Sequence, residues 1–170
     1  MTAEYHENLA RARIMTVIAS VTDIGQVHDY ERFADDWDAL IEHYVAEIGD
    51  DNTKMLRGWN VSLSDLRQHD QETFGPPGQK GTVETSYYYT IRGFHAVEDA
   101  SETEKKFVTL CLLLIATLDA EPKLHSSVMD DGANGNFYGP PASAARWDFR
   151  MFGDVLVHYV EIGLEVKEIV

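Results

Sequence analysis

The sequence predicts an α+β domain in which about three helices pack on one face of a mainly antiparallel sheet. Apolar residues recur at three- and four-residue spacing in three segments, which indicates helices, and at alternate positions in several others, which indicates strands. The segments follow the order helix, helix, strand, strand, helix, strand, strand. With 170 residues, of which 44% are hydrophobic, the chain can bury a core and is expected to form a single domain, residues 1–170.

Three segments have the helical pattern. The first covers residues 4–21. The second covers residues 31–48, where an apolar stripe lies opposite several acidic residues and Gly49 provides a stop. The third begins at Ser101, which forms a capping box with Glu104, and ends before a proline at position 122. We expect this third helix to be buried and rigid.

Alternating apolar residues predict the strands. The predicted strands are residues 24–30 (a connector or an edge strand), 54–66, 84–97, 146–152 and 154–170. The last two form a hairpin or a bent pair joined at Gly153. In the final strand the apolar residues share one face, so Glu161 and Glu165 point to the other.

Two segments rich in glycine and proline interrupt this pattern, residues 67–83 and 123–145. Long loops of this kind are usually functional or disordered, so we predict flexible loops that become ordered on assembly. The aromatic residues in them are candidate interface residues, Phe74 in the first loop and Phe137 and Tyr138 in the second.

Three consecutive tyrosines, residues 87–89, must place rings on both faces of their strand. Tyr87 and Tyr89 share a face with Ile91, so Tyr88 lies on the face away from the core. A single exposed tyrosine is common. Taken with the loops, however, this ring favours contact with another subunit, and Tyr88 is a candidate interface residue.

The chain is strongly acidic, with 29 Asp and Glu against 14 Lys and Arg and a net charge of −15. This excess repels phosphate backbones and disfavours binding to nucleic acid. It either serves solubility alone or lets DNA pass the protein without sticking.

The sequence lacks the short motifs of common catalytic and cofactor sites. Its seven histidines have no metal-ligand spacing, and it has no nucleophile elbow or phosphate-binding glycine loop. Asp35, Asp36 and Asp38 begin a predicted helix, where the helix dipole explains the carboxylates better than a metal site does. His158 is expected to be a hydrogen-bonded core or interface histidine, and Cys111 a buried hydrophobe. We therefore expect no enzyme activity, cofactor or metal.

No run reaches the roughly 18 apolar residues that span a bilayer, and the polar N-terminus lacks the pattern of a signal peptide. We expect an intracellular chain that makes no contact with a membrane.

The arrangement resembles that of the tail terminator, or tail completion, proteins of tailed bacteriophages and gene transfer agents. The similarity rests on the order of an N-terminal helix, IGQVHDYERFADDW (24–37), the RGWNV strand (57–61), YTIRGFHAVEDASETEKKF (89–107) and FGDVLVHYVEIGLEV (152–166). It implies a small α+β domain that forms a hexameric ring on top of the tail tube. Such a ring stops tube polymerisation and provides the surface on which the head connector docks.

The resemblance also implies partners and a location. The partners would be further copies of the chain, the tail tube protein and the head-to-tail connector or stopper. DNA would pass through the ring without specific binding. The protein would belong to the virion neck after assembly in the host cytoplasm. Asp35, Asp36, Asp38, Glu161 and Glu165 are then candidates for the channel lining or a subunit edge.

A subunit edge or loop would pair with the last ring of tube protein, by strand augmentation or by ordering of the loop, and so block the next ring. Three other functions stay open on the sequence alone. The chain could be another neck protein such as a stopper or adaptor, a small acidic inhibitor that mimics DNA, or an enzyme whose residues converge from distant positions.

Overall fold

The structure is a computed structural model that describes residues 3–32, 36–49, 53–71, 82–98, 102–121, 124, 137–138 and 140–169. Its elements are α1 (Ala3–Ala19), β1 (Gln26–His28), α2 (Trp37–Glu42), β2 (Val45–Ile48), β3 (Thr53–Gln71), β4 (Thr82–Ala96), α3 (Thr103–Asp119), β5 (Phe137–Tyr138), β6 (Ser143–Phe152) and β7 (Val155–Ile169). The predicted α+β class is confirmed, with helices packed against a mainly antiparallel sheet.

Seven strands form one sheet around the three long strands β3, β4 and β7. β3 pairs with β4, β4 with β7 and β7 with β6, all antiparallel, so β3 and β7 run in one direction and β4 and β6 in the other. β1 and β2 pair with the outer side of β3, β1 in parallel and β2 antiparallel. β5 pairs with the end of β7.

The larger core lies between the sheet and the helices α1 and α3, on the side that we call the helical face. Trp59 at its centre is fully buried and donates from Nε1 to the Ile24 carbonyl oxygen over 2.7 Å. Gly93 stands opposite it in β4, where an added Cβ would lie 2.4 Å from Trp59 Cζ3. The glycine therefore leaves the space that the indole fills. Other buried residues here are Ile14, Ile18, Ile91, Phe107, Leu114 and Ile162.

A smaller core lies on the other side of the sheet, which we call the opposite face. Tyr44 is its central ring, with centroids 5.7 Å from Phe94 and 5.2 Å from Phe152. The Tyr44 hydroxyl donates to Asn60 Oδ1 over 2.7 Å. Apolar residues of the short α2 pack against this second core, whereas α1 and α3 pack against the first.

The predicted helix over residues 31–48 is confirmed only at its centre, because residues 31 and 32 are not helical and α2 begins at Trp37; residues 33–35 lie outside the described part. α2 ends at Glu42, and Val45–Ile48 form β2, which pairs with the first residues of β3. Val45 and Ile48 are β-branched and fit a strand well once the edge of β3 offers hydrogen bonds. Cross-strand pairing has overridden the helical spacing of the apolar residues.

The predicted capping box at the start of α3 is also wrong. The N-cap is Glu102, which has left-handed backbone geometry at φ 53° and makes no side-chain capping bond. Ser101 lies outside the described residues. The hydroxyl of Thr103 instead accepts from the Glu98 N–H over 2.9 Å and lies 3.0 Å from His158 Nε2. A threonine thus ties the start of α3 to β7 and to the end of β4.

The sheet takes up the ends of both predicted loops. β3 continues to Gln71 and β4 begins at Thr82, and residues 72–81 lie outside the described part. In the second loop, β5 and the start of β6 are strands, and residues 125–136 lie outside the described part. Pairing with β4 and β7 extends the strands beyond the alternating apolar residues that the sequence shows.

Candidate functional site

Cys111 is a core residue, as its apolar surroundings in the sequence predicted. It is fully buried, and burial raises the pKa of its thiol to about 12, so the reactive thiolate is not formed near neutral pH. Among the described residues, no three His, Cys, Asp or Glu side chains lie close enough together to hold a metal ion.

A cluster of buried polar side chains joins β3, β4, β7 and α3 on the helical face. Arg57 donates to the Asp23 carbonyl oxygen over 2.8 Å and from Nε to His95 Nδ1 over 3.3 Å. The His158 ring stacks 6.2 Å from that of His95 and meets the Thr103 hydroxyl. Burial, together with the charge of Arg57, lowers the pKa of His95 to about 3, and burial lowers the pKa of His158. Both rings are neutral at pH 7, and His158 is the hydrogen-bonded core histidine that the sequence predicted.

Exposed apolar side chains line the outer strand β6 on the helical face. Trp147, Phe149 and Met151 alternate along it and are 44%, 53% and 61% exposed, and Leu156 opposite Met151 is 44% exposed. The helices cover the central strands, and α3 meets β6 at Phe107, whose ring lies edge-on to that of Trp147 at 6.4 Å. One side of β6 is therefore apolar and, among the described residues, only partly covered.

α3 adds two residues to this apolar strip. Glu104 borders a cavity together with Phe149 and His158, so its flank of α3 faces β6. Val108 and Leu112 follow at four-residue intervals on the same flank and are exposed. We call the six residues the β6 apolar surface: Val108, Leu112, Trp147, Phe149, Met151 and Leu156. Exposed apolar side chains grouped on one side of a fold are typical of a protein–protein contact site.

On the long strands of the sheet, two stretches of edge are not covered by any other described strand. One is the outer side of β6. The other is the outer side of β3 beyond Asn60, because β1 and β2 pair only with earlier residues of that strand. Such edges present unpaired backbone N–H and C=O groups and are templates for pairing with another chain.

Both edges have alternating charges on the opposite face. On β6, Arg146 pairs with Asp148 over 2.9 Å and Arg150 follows; on β3, Arg67 pairs with Asp65 over 2.8 Å. Hydrogen bonds lower the pKa of both carboxyl groups. The main donor to Asp65 is the Arg67 guanidinium, and the main donor to Asp148 is the backbone N–H of Phe149. Each exposed pair joins neighbours on a single strand, so its charges are accessible to a second chain.

A groove of about 500 Å³ on the opposite face contains a network of charges. Arg92 bonds Glu31 over 2.9 Å and lies 3.9 Å from Glu161, which is also 3.9 Å from Arg150. Tyr159 donates to Glu161 and lies under the Arg150 guanidinium, 3.6 Å from its carbon to the ring centroid. Burial and the hydrogen bond to Glu161 raise the pKa of Tyr159 to about 12. Glu161 is thus enclosed by two arginines and a hydroxyl.

The candidates Glu161, Glu165 and Tyr88 lie on the opposite face, as strand alternation predicted. Glu165 pairs with Lys167 over 3.6 Å and stands opposite Tyr88 in the sheet. The Arg67 guanidinium carbon lies 5.0 Å from the Tyr88 ring centroid. Because Glu161 and Glu165 both have cationic neighbours, they are not the source of the excess negative charge.

The other candidates lie in different places. Asp36 and Asp38 are exposed at the start of α2, where the Asp36 side chain caps the helix. Phe137 and Tyr138 form β5, whose backbone pairs with the end of β7. Two candidates lie outside the described residues: Asp35 and Phe74. The predicted residues therefore do not form one site.

The negative charge is concentrated in residues 29–51, which we call the acidic segment. It contains nine carboxylates and a single Lys or Arg, Arg32. The carboxylates that the structure describes there, among them Asp29, Glu42 and Glu47, are exposed around α2 and β2. This segment supplies about half of the net charge of the chain.

The sequence reasoning missed the β6 apolar surface. The alternation of charged and apolar residues from Arg146 to Met151 was a visible sign of a strand with one apolar side. Whether a helix covers that side depends on where α3 crosses the sheet, and this position cannot be read from the alternation.

No helix among the described residues is long and apolar enough to cross a membrane. No protein-family model matches the chain, and no curated protein matches its sequence.

Proposed function

We propose that the protein is a ring-forming structural subunit at the head-to-tail junction of a tailed bacteriophage or gene transfer agent, in the role of a tail terminator. The observation that carries the proposal is the β6 apolar surface beside an uncovered strand edge. An apolar strip and an unpaired edge are covered together when another chain binds, which is the property that an assembling subunit needs.

A closed ring requires contact between two different surfaces of each copy. The outer side of β6 and the outer side of β3 beyond Asn60 are two such surfaces, on the two sides of one sheet. Each copy can therefore bind one neighbour on each side. A hexamer is the ring size that the family resemblance implies.

The acidic segment would give the ring a surface that DNA does not bind. Attraction of ~1 kcal/mol per phosphate contact, repeated along the duplex, would slow the passage of a genome. Asp36 and Asp38 belong to this segment and are the candidates for the channel lining. Glu161 and Glu165 are weaker candidates, since each lies within 3.9 Å of a cationic side chain.

The tail tube protein and the head connector would bind the two ends of the ring. The predicted second loop, residues 123–145, is the candidate for one of these contacts. Binding of this segment to the last tube ring would occupy the site that the next ring needs.

Native mass spectrometry of the purified chain, alone and with virion extract, tests the proposal. We expect the mass of a closed ring, and negative-stain images with a central channel. A chain that stays monomeric under both conditions would contradict the proposal.

A deletion tests the role at the neck. Removal of residues 125–136, which keeps α3, β5 and β6, should leave a folded chain and produce particles whose heads and tails do not join. Wild-type infectivity after this deletion would refute the assignment of the loop.

A further inference from the structure

We propose that β6 of one copy pairs, antiparallel, with the outer edge of β3 in the next copy, with Asp148 opposite Arg67 and Arg150 opposite Asp65. The partner that covers the β6 apolar surface is then a second copy of the chain. This interface rests on the proposed function, because it specifies how the subunits of the ring join.

Strand direction supports the antiparallel pairing. β3 and β6 run in opposite directions within one copy. If the ring axis runs along the strands, the rotation that relates neighbouring copies does not reverse strand direction. β6 of one copy therefore meets β3 of the next copy in an antiparallel orientation. The two sheets then continue as one, and each uncovered edge gains backbone hydrogen bonds.

Ring closure argues against pairing between two β6 strands. An antiparallel β6–β6 pair is a contact of one surface with itself, so it joins two copies and leaves the edge of β3 uncovered. Pairing of β6 with β3 uses both edges of every copy. Charge disfavours the β6–β6 pair centred on Asp148, which would place Asp148 opposite its own copy and Arg146 opposite Arg150.

Charge also selects one register between β6 and β3. A shift by two residues is the smallest that keeps both faces matched. Shifted one way, Asp148 would face Asp65, and Arg146 would face Arg67. Shifted the other way, Arg150 would face Arg67. The proposed register alone among these three places opposite charges together in both cross-strand pairs.

The same register matches apolar residues on the helical face. Phe149 stands opposite Leu66, and the two are 53% and 41% exposed in the single chain. The start of α1 lies near this edge, since Tyr89, the partner of Leu63 in the sheet, donates to the Glu7 carbonyl oxygen over 3.2 Å. α1 of the next copy would therefore lie over β6 beside α3 and cover the β6 apolar surface.

A charge exchange tests the interface. Asp148→Arg and Arg67→Asp each turn an attractive pair into a repulsive one and should lower the association constant of the ring by about tenfold or more. The double variant restores an opposite-charge pair and should recover assembly. Sedimentation velocity over a dilution series measures association, and thermal unfolding checks that each variant is folded. Glu42→Lys is the control: it reverses an exposed charge at the end of α2, beside β1 and β2 and away from both edges, and should leave assembly unchanged.

A cross-link tests the register independently. Phe149→Cys combined with Leu66→Cys should form disulfides between copies on mild oxidation and give a ladder of covalent oligomers in a denaturing gel. Phe149→Cys combined with Gln68→Cys is displaced by two residues, roughly 7–8 Å between Cα atoms, and should cross-link poorly. The natural Cys111 is buried and should not contribute.

The outcomes separate this interface from the proposed function. Rings lost in each single charge variant and regained in the double variant support both. Rings that form equally in all charge variants, or that cross-link only in the displaced pair, overturn the interface and leave the proposed function standing. A wild-type chain that never forms a ring contradicts the proposed function, and the interface fails with it.

Discussion

Replacing Phe149 by threonine should weaken ring assembly about tenfold per interface. Full burial of a phenylalanine side chain contributes roughly 1.5–3 kcal/mol, and Phe149 is 53% exposed in the single chain. Covering the exposed half is therefore worth about 1–1.5 kcal/mol, or about tenfold in the association constant. The other half already packs in the chain, where the ring centroid lies 5.0 Å from that of His158. The substitution should thus also lower the free energy of unfolding by about 1 kcal/mol.

Leu113→Gln is the matched control. Leu113 is 49% exposed, close to the value for Phe149, but it lies two and a half turns after Glu104 and so on the far side of α3 from β6. Its replacement should cost a similar free energy of unfolding and leave assembly unchanged. Urea unfolding at dilutions where the ring is dissociated measures the first quantity, and sedimentation velocity measures the second. If Phe149→Thr assembles as well as the wild type, the β6 apolar surface is not an interface.

Gly93→Ala should lower the free energy of unfolding by about 1–3 kcal/mol because the new Cβ would stand 2.4 Å from the ring of Trp59. Gly163→Ala, whose Cβ would meet nothing closer than 4.0 Å, should change it by less than about 0.5 kcal/mol; equal losses in urea unfolding would contradict the packing described. The chain should lose stability as the pH falls below 6.5, because His95 becomes protonated there in the unfolded chain, whereas its pKa in the folded chain is about 3. The loss should approach about 1.4 kcal/mol per pH unit. His95→Gln should make stability less dependent on pH between pH 6.5 and 5.5. An unchanged slope would show that protonation of His95 on unfolding is not the cause. The thiol of Cys111 should resist a disulfide reagent in the native chain at pH 8 and react fully in urea; rapid native labelling would disprove its burial.

The central strands were predictable because they are buried on one face along most of their length. Tyr87, Tyr89 and Ile91 alternate with more polar residues, and each meets an apolar partner in β3 and β7. Period-two patterning appears in a sequence when one face of a strand is buried and the other is polar. The same reasoning placed Glu161 and Tyr88 on the opposite face correctly.

Residues 45–48 show where the pattern is ambiguous. Their apolar residues fit a helix stripe and a short strand equally well, and pairing with β3 decides between the two. Pairing is a contact between segments and leaves no trace in local spacing. The start of α3 is similar, since Thr103 takes its role from hydrogen bonds with the Glu98 N–H and with His158, which is 55 residues away in the sequence.

The candidate site required the fold. The tyrosine and the carboxylates chosen from the sequence are dispersed over the opposite face and α2. The β6 apolar surface combines residues of α3, β6 and β7 that become neighbours only in the folded sheet. The complementary charges of β6 and β3 could likewise be recognised only once the fold showed that both strands lie at edges of the sheet.

A cryo-EM reconstruction of the particle neck tests most directly the claim that this protein works by assembling through its sheet edges. We predict a closed ring at the top of the tail tube in which β6 of each copy runs about 4.8 Å from β3 of the next. A neck without this chain, or a ring whose copies meet away from both edges, would contradict the account.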